Sequence, residues 1–180
     1  MAGWLSDAKA VDAAVYAAIA GSETPALDVA MRRLSRAADS SKLWFATAAL
    51  LSLGGGRRGR RAAVRGLVSL GVASGFANLV AKPLTKRRRP ERRELEELAN
   101  RHVPMPKTSS FPSGHTASAF AFATGAGDAE PGLAAPLRAL AALVGYSRVH
   151  TGVHYPADVL VGAFIGVSAA EVAGRLIDRA

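Results

Sequence analysis

Residues 62–81 read AAVRGLVSLGVASGFANLVA, and residue 82 is a lysine. Only Arg65 and Asn78 interrupt the apolar character of this stretch. A helix of about 20 residues, rising ~1.5 Å per residue, covers roughly 30 Å, the thickness of a bilayer's hydrocarbon core. This stretch decides the fold: it reads as a membrane-spanning helix that ends on a cation. The competing reading is a core helix of a soluble bundle. The run 42–53 is also apolar and opens with Trp44 and Phe45, as at a membrane interface, which favours the membrane.

Working outward, residues 7–20 predict a helix too short in its apolar part to span a bilayer. No basic start followed by an apolar core and a small-residue cleavage site marks a secretory signal. Thr24-Pro25 predicts the start of a second helix over 25–38, with Arg32, Arg33 and Arg36 on its polar side. These two amphipathic helices either lie on a membrane surface or pack into a bundle. GGGRRGRR at 54–61 predicts a flexible basic loop. Residues 82–113 form a polar loop carrying a charged surface helix at Glu91–Arg101. Helices follow at 114–127, 133–147 and 157–176, with Asp128–Gly132 as a turn and Glu171 interrupting the last. The expectation is an all-α, multi-pass membrane helical bundle of about five core helices, in one domain over 1–180.

The chain carries a formal net charge of +9, which suits anionic lipid heads, phosphorylated substrates or nucleic acid. Aromatic residues are only 6%, with no basic patch interleaved with aromatics, so nucleic acid is not expected as a partner. No cysteine is present, which excludes disulfides and thiolate metal sites. Mean hydropathy is +0.15, high for a soluble protein this rich in arginine.

Three segments share one pattern. Lys82 and Arg89-Pro90 are separated by six residues. Pro112-Ser113-Gly114-His115 follows. Then come Ser147-Arg148, His154 five residues on, and Asp158 after three more. The pattern resembles the signature of the type 2 phosphatidic acid phosphatase (PAP2) superfamily, K-x6-RP, PSGH and SR-x5-H-x3-D, with every position filled. The resemblance implies that His154 is a nucleophile forming a phosphohistidine and that Asp158 orients it. His115 is implied to protonate the leaving alkoxide and then activate water. It implies no cofactor and no metal. Lys82, Arg89 and Arg148 supply cations, arginine gripping two phosphoryl oxygens and lysine acting as a point charge. Ser113 stands where a helix begins, so its hydroxyl and the N–H groups of Gly114 and His115 can take another oxygen. Pro156 fits the first helical position, which puts Asp158 in the first turn, within reach of His154.

Other residues nearby have two readings. His150 lies four before His154, a zinc-binding spacing on a continuous helix, but Gly152 and Pro156 argue against continuity. Lys86, Arg87 and Arg88 either attract a further anionic group or form a solvated basic loop. Tyr155 and Phe111 either line a substrate path or simply pack.

If the five core helices alternate across a bilayer, all three motifs fall on one side. That side carries more Lys and Arg, which leans towards a cytoplasmic site, whereas many members of the superfamily it resembles work on the outer face and cations recruited for catalysis add to the count. The resemblance implies a phosphorylated lipid as substrate, membrane lipids as surroundings and a bacterial plasma membrane as location. It leaves a homo-oligomer open. Within the superfamily, the chain looks most like short actinobacterial members acting on decaprenylphosphoryl-5-phosphoribose. Undecaprenyl diphosphate and phosphatidylglycerophosphate phosphatases are the next readings. A vanadium-dependent haloperoxidase and a non-catalytic membrane scaffold are further ones.

Overall fold

The computed structural model describes residues 3–91 and 101–179. Among these residues the chain is helical, without strands. The helices are α1 (Gly3–Ala20), α2 (Pro25–Ala37), α3 (Lys42–Gly54), α4 (Gly56–Gly75), α5 (Lys82–Leu84), α6 (Gly114–Ala129), α7 (Ala134–His150) and α8 (Pro156–Ile177). A π-helical segment, Phe76–Ala81, joins α4 to α5 without a break, giving one helical rod over Gly56–Leu84.

Helix α6 is the hub. Its run of Ala, Gly, Phe and Thr is buried from Thr116 to Ala119 and from Ala121 to Gly127, between α4, α7 and α8. Small residues let the neighbouring backbones close in, the usual way for helices to pack where lipid gives no hydrophobic drive between them. A Cβ on Gly162 would lie 2.6 Å from Ser113 O, and one on Gly166 would lie 2.4 Å from Ala117 O. A second packing layer joins Trp44 of α3 to Phe122 of α6, with ring centroids 5.3 Å apart, among Ala62, Leu70, Leu137 and Val144.

The outer faces are apolar. Val64, Val68, Val72 and Phe76 run down α4 at four-residue intervals, exposed. On α8, Leu160 and Phe164, then Val172 and Leu176, are exposed on one side, with Ser168 between the two pairs. Stripes of this length on a water-soluble surface would be an association hazard, and in a bilayer they face lipid. Gly56–Leu84 and Pro156–Ile177 are long and apolar enough to cross a membrane. Helices α3, α6 and α7, with 13, 16 and 17 residues, are shorter than a full span of about 20.

The two interruptions of the opening stretch both have partners. Arg65 Nη1 lies 2.5 Å from Asp178 Oδ1, just past α8, so α4 and α8 run antiparallel. Asn78, on the π segment, accepts from Lys82 Nζ at 2.8 Å. Two expectations are corrected. The basic run 54–61 is not a flexible loop, because α4 starts at Gly56 and Arg57–Arg61 are helical. The α3–α4 turn is tight: Gly56 takes φ +56°, and a Cβ on Gly59 would lie 2.1 Å from Leu51 O. Glu171 does not interrupt α8, which runs unbroken with Glu171 exposed. The charged helix expected over 91–101 falls almost wholly on 92–100, outside the described residues.

Helices α1 and α2 pack onto the bundle through buried polar groups. His150 Nε2 meets Asp28 Oδ1 of α2 at 2.8 Å, and Arg101 Nη2 meets the same carboxylate at 3.0 Å. His150 therefore ties α2 to the end of α7, and no zinc role is needed to explain it. Among the described residues no group of three or more His, Cys, Asp or Glu converges as a metal site would.

Candidate active site

The three motifs meet at one end of the bundle, where α4–α5 and α7 finish and α6 and α8 begin. Chain direction alone puts them there, and contacts then join them. The Ser113 N–H donates to Asp158 O at 3.0 Å, and Lys82 Nζ lies 3.4 Å from where a Cβ on Gly114 would be. Glycine at 114 leaves the lysine that room.

His154 lies in the turn between α7 and α8. Helix α7 stops at His150, Gly152 takes φ +71°, and the N–H groups of Val153 and His154 both fold back to Arg148 O. The imidazole is 2% exposed. Its Nδ1 is 3.4 Å from Asp158 Oδ2 and its Nε2 is 3.3 Å from Arg89 Nη1. A carboxylate facing Nδ1 and a guanidinium facing Nε2 assign the proton to Nδ1 and leave a lone pair on Nε2. Burial pushes the pKa of His154 down to about 4; Asp158 opposes this, and the charges of Arg89 and Arg148 add to it. The ring is thus neutral at pH 7, as a nucleophile must be.

Asp158 is held from several sides. Pro156 opens α8, so Asp158 is in its first turn as expected, and its Oδ2 accepts the Tyr155 N–H at 3.0 Å. Ser110 donates a short hydrogen bond to the same oxygen, and Arg87 Nη1 reaches Oδ1 at 2.8 Å.

Arg89 is anchored by backbone carbonyls: Thr108 O at 3.0 Å, Ser109 O at 3.1 Å and Val153 O at 2.8 Å. Its fork is therefore aimed beside Nε2 before any substrate arrives. Ser113 caps α6 as expected, but its buried hydroxyl is engaged with Thr116, 2.9 Å from Thr116 Oγ1. The N–H groups of Gly114 and His115 precede the first intrahelical bond, Ala117 N–H to Ser113 O, so the helix start offers them to an anion.

His115 has a carboxylate partner that sequence reasoning missed. Its Nε2 is 3.0 Å from Asp39 Oδ1, in the short turn before α3, and Arg148 Nη1 is 3.4 Å from the same oxygen. The hydrogen bond from His115 holds the Asp39 carboxyl below its usual range, with Arg148 adding to the effect against partial burial. Arg148 is itself buried and fixed by Ser35 Oγ at 2.6 Å. Ser40 and Ser41, next to Asp39, both take left-handed backbone, with φ 54° and 58°. Such strain is stored where surrounding structure over-determines it. A polar cavity of about 150 Å³ lies against this turn, lined by Lys82, Asn78, Gly114 and His115.

Arg89, Asp158 and His154 thus form one half of the site. His115, Asp39 and Arg148 form the other, with Lys82 and Gly114 beside them. Arg148 acts electrostatically on both halves. Besides Asp39, nothing local in the chain marked Ser110, and Arg87 stood out only as one of three extra cations between Lys82 and Arg89. Asn78 had a faint signal, four residues before Lys82 on a helix.

The family model of the PAP2 superfamily matches residues 62–179. A decaprenylphosphoryl-5-phosphoribose phosphatase of Mycolicibacterium smegmatis is 34% identical over 85% of this chain and 79% of its own. The protein of the same name from Mycobacterium tuberculosis is 33% identical over 94% of this chain and 88% of its own. Among solved structures, LpxE of Aquifex aeolicus superposes with a TM-score of 0.72 at 26% identity, covering 89% of this chain and 93% of that one. A transmembrane PAP2-type phosphatidylglycerolphosphate phosphatase from Bacillus subtilis gives 0.74 at 22% identity, covering 96% and 87%. By its sequence, its all-helical membrane-type fold and the meeting of its three motifs, this chain belongs to the PAP2 superfamily and is a phosphatase.

Proposed function

We propose that this protein is a multi-pass membrane phosphohydrolase that removes a phosphate monoester from a polyprenyl-linked lipid through a phosphohistidine. The observation that carries the reading is the His154 imidazole, neutral and buried, with Nε2 beside Arg89 and Nδ1 on Asp158.

His154 Nε2 attacks phosphorus in line with the departing alkoxide. Arg89, Arg148, Lys82 and the α6 N–H groups hold the equatorial oxygens, which neutralises the charge of a loose transition state. The P–O bond to the lipid breaks, and His115 gives its proton to the alkoxide. Asp158 stabilises the charge placed on the His154 ring. Water then attacks the phosphohistidine, His115 takes the water's proton, and inorganic phosphate leaves. The clustered cations do the charge neutralisation that a metal ion does elsewhere.

The substrate comes from the relatives. Decaprenylphosphoryl-5-phosphoribose, for which both mycobacterial relatives are named, is the best candidate. Five helices, α3, α4–α5, α6, α7 and α8, would cross the bacterial plasma membrane, with the active site at one face of a single domain. Purified protein in detergent, assayed against decaprenylphosphoryl-5-phosphoribose, undecaprenyl diphosphate, phosphatidylglycerophosphate and phosphatidic acid, tests the reading. The first is expected to give the highest kcat/KM, and His154→Ala is expected to abolish phosphate release from all four. Undiminished release by His154→Ala would sink the mechanism. A preference for another lipid would replace the substrate and leave the mechanism standing.

A further inference from the structure

Arg87 lies within the gap of the first motif and belongs to no motif position. In the folded chain it is not a solvated cation. Its guanidinium joins two carboxylates from different helices: Asp158 Oδ1 of α8 at 2.8 Å and Asp12 Oδ2 of α1 at 2.5 Å. It also lies 4.4 Å from the centroid of the Tyr155 ring. The other oxygen of Asp12 accepts the Ala157 N–H at 2.8 Å, so α1 caps the start of α8 from outside. Both carboxylates are buried, Asp12 at 8% exposure and Asp158 at 0%.

We propose that Arg87 is a positioning residue for phosphoryl transfer, gripped by Asp12 of α1, which keeps Asp158 ionised and aimed at His154. Two buried carboxylates on either side of one guanidinium do not both stay charged once that cation is gone. A protonated Asp158 accepts less strongly from His154 Nδ1–H, and it stabilises a cationic imidazole less. The groups facing Asp158 are Arg87 and Ser110 from the polar loop, with His154 and the Tyr155 N–H from the turn, while Asp12 of α1 meets the same guanidinium through its other nitrogen. Arg89 and Arg148 act on the far side of the imidazole. A guanidinium fork spans both carboxylates, whereas an ammonium on a shorter stem grips only one. Helix α1 thereby becomes part of the reacting unit, although the family match begins only at residue 62.

The proposal rests on His154 as nucleophile, so His154→Ala is run in parallel, and activity in that variant would sink the underlying reading rather than this one. The test is the pH profile of kcat in detergent for Arg87→Ala, Arg87→Lys, Asp12→Asn and the double variant Arg87→Ala/Asp12→Asn. Arg87→Ala is expected to lose roughly 100-fold in kcat, the scale of a misplaced reacting group. Its acid limb is expected to move to higher pH, because activity then waits for Asp158 to ionise. Removing the second carboxylate relieves the repulsion, so the double variant is expected to recover about tenfold over Arg87→Ala, with its acid limb moved back. Arg87→Lys should fall between wild type and Arg87→Ala. A folded Arg87→Ala with unchanged kcat and acid limb overturns the proposal. So does a loss with no limb shift and no recovery in the double variant, which is the pattern of a purely structural contact. Should Arg87→Ala fail to fold, Arg87→Lys decides: a displaced acid limb supports the proposal and an unmoved one overturns it.

Discussion

At the scale of the residue, the candidate site holds two histidine–carboxylate pairs, His154–Asp158 and His115–Asp39. His154–Asp158 was legible because both residues stand at motif spacing and Pro156 sets the helix start between them. His115–Asp39 was not legible, since the two stand 76 positions apart and nothing local marks Asp39. Asp39→Asn is expected to lower kcat roughly 10- to 100-fold with lipid substrates, because His115 loses the partner that fixes its ring and its proton. The loss should shrink with p-nitrophenyl phosphate, whose leaving group departs without a proton; an equal loss on both substrates would count against the acid role of His115. His154 also gives a stability prediction. Its folded-state pKa lies near 4, below the ordinary 6.5, so below pH 6.5 the unfolded chain takes up a proton that the folded chain refuses. Stability should therefore fall as pH drops from 6.5 to 4. His154→Gln should flatten that part of the denaturation curve in detergent.

At the scale of the element, helices were placed well and their ends less so. Helices α6, α7 and α8 run two, three and one residues past their expected ends, while their starts fall within one residue of those expected, since capping groups such as Ser113 and Pro156 mark starts better than anything marks ends. The basic run 54–61 misled, because clustered Gly and Arg resemble a loop, yet Gly59 is needed for the close approach of α4 to Leu51 of α3. The same physics governs α6 and α8. Gly166→Val would force a side chain into Ala117 O, and overpacking of this kind costs about 1–3 kcal/mol or more. A lowered thermal midpoint in detergent is expected, whereas Phe164→Ala, on the exposed face of α8, should move it little. Comparable effects for the two would contradict the packing described.

At the scale of the whole molecule, chain direction brings the motifs together. Cysteines introduced singly at Lys107 and Arg57, at opposite ends of the bundle, should react with a membrane-impermeant maleimide from opposite sides, with 107 protected in intact cells if the site is cytoplasmic. Labelling of both from one side would refute a bundle that crosses the membrane between them. The all-helical class, two helices apolar enough to span a bilayer, the family and the spacing of the motif residues could all be read along the chain. Those depend on local spacing and composition, which a linear chain carries in full. Packing alone joined Asp39 to His115, turned Arg87 inward between Asp12 and Asp158, and closed α1 over the start of α8. These are contacts between residues dozens of positions apart, fixed by where packed helices happen to end, and no periodicity in the chain records them.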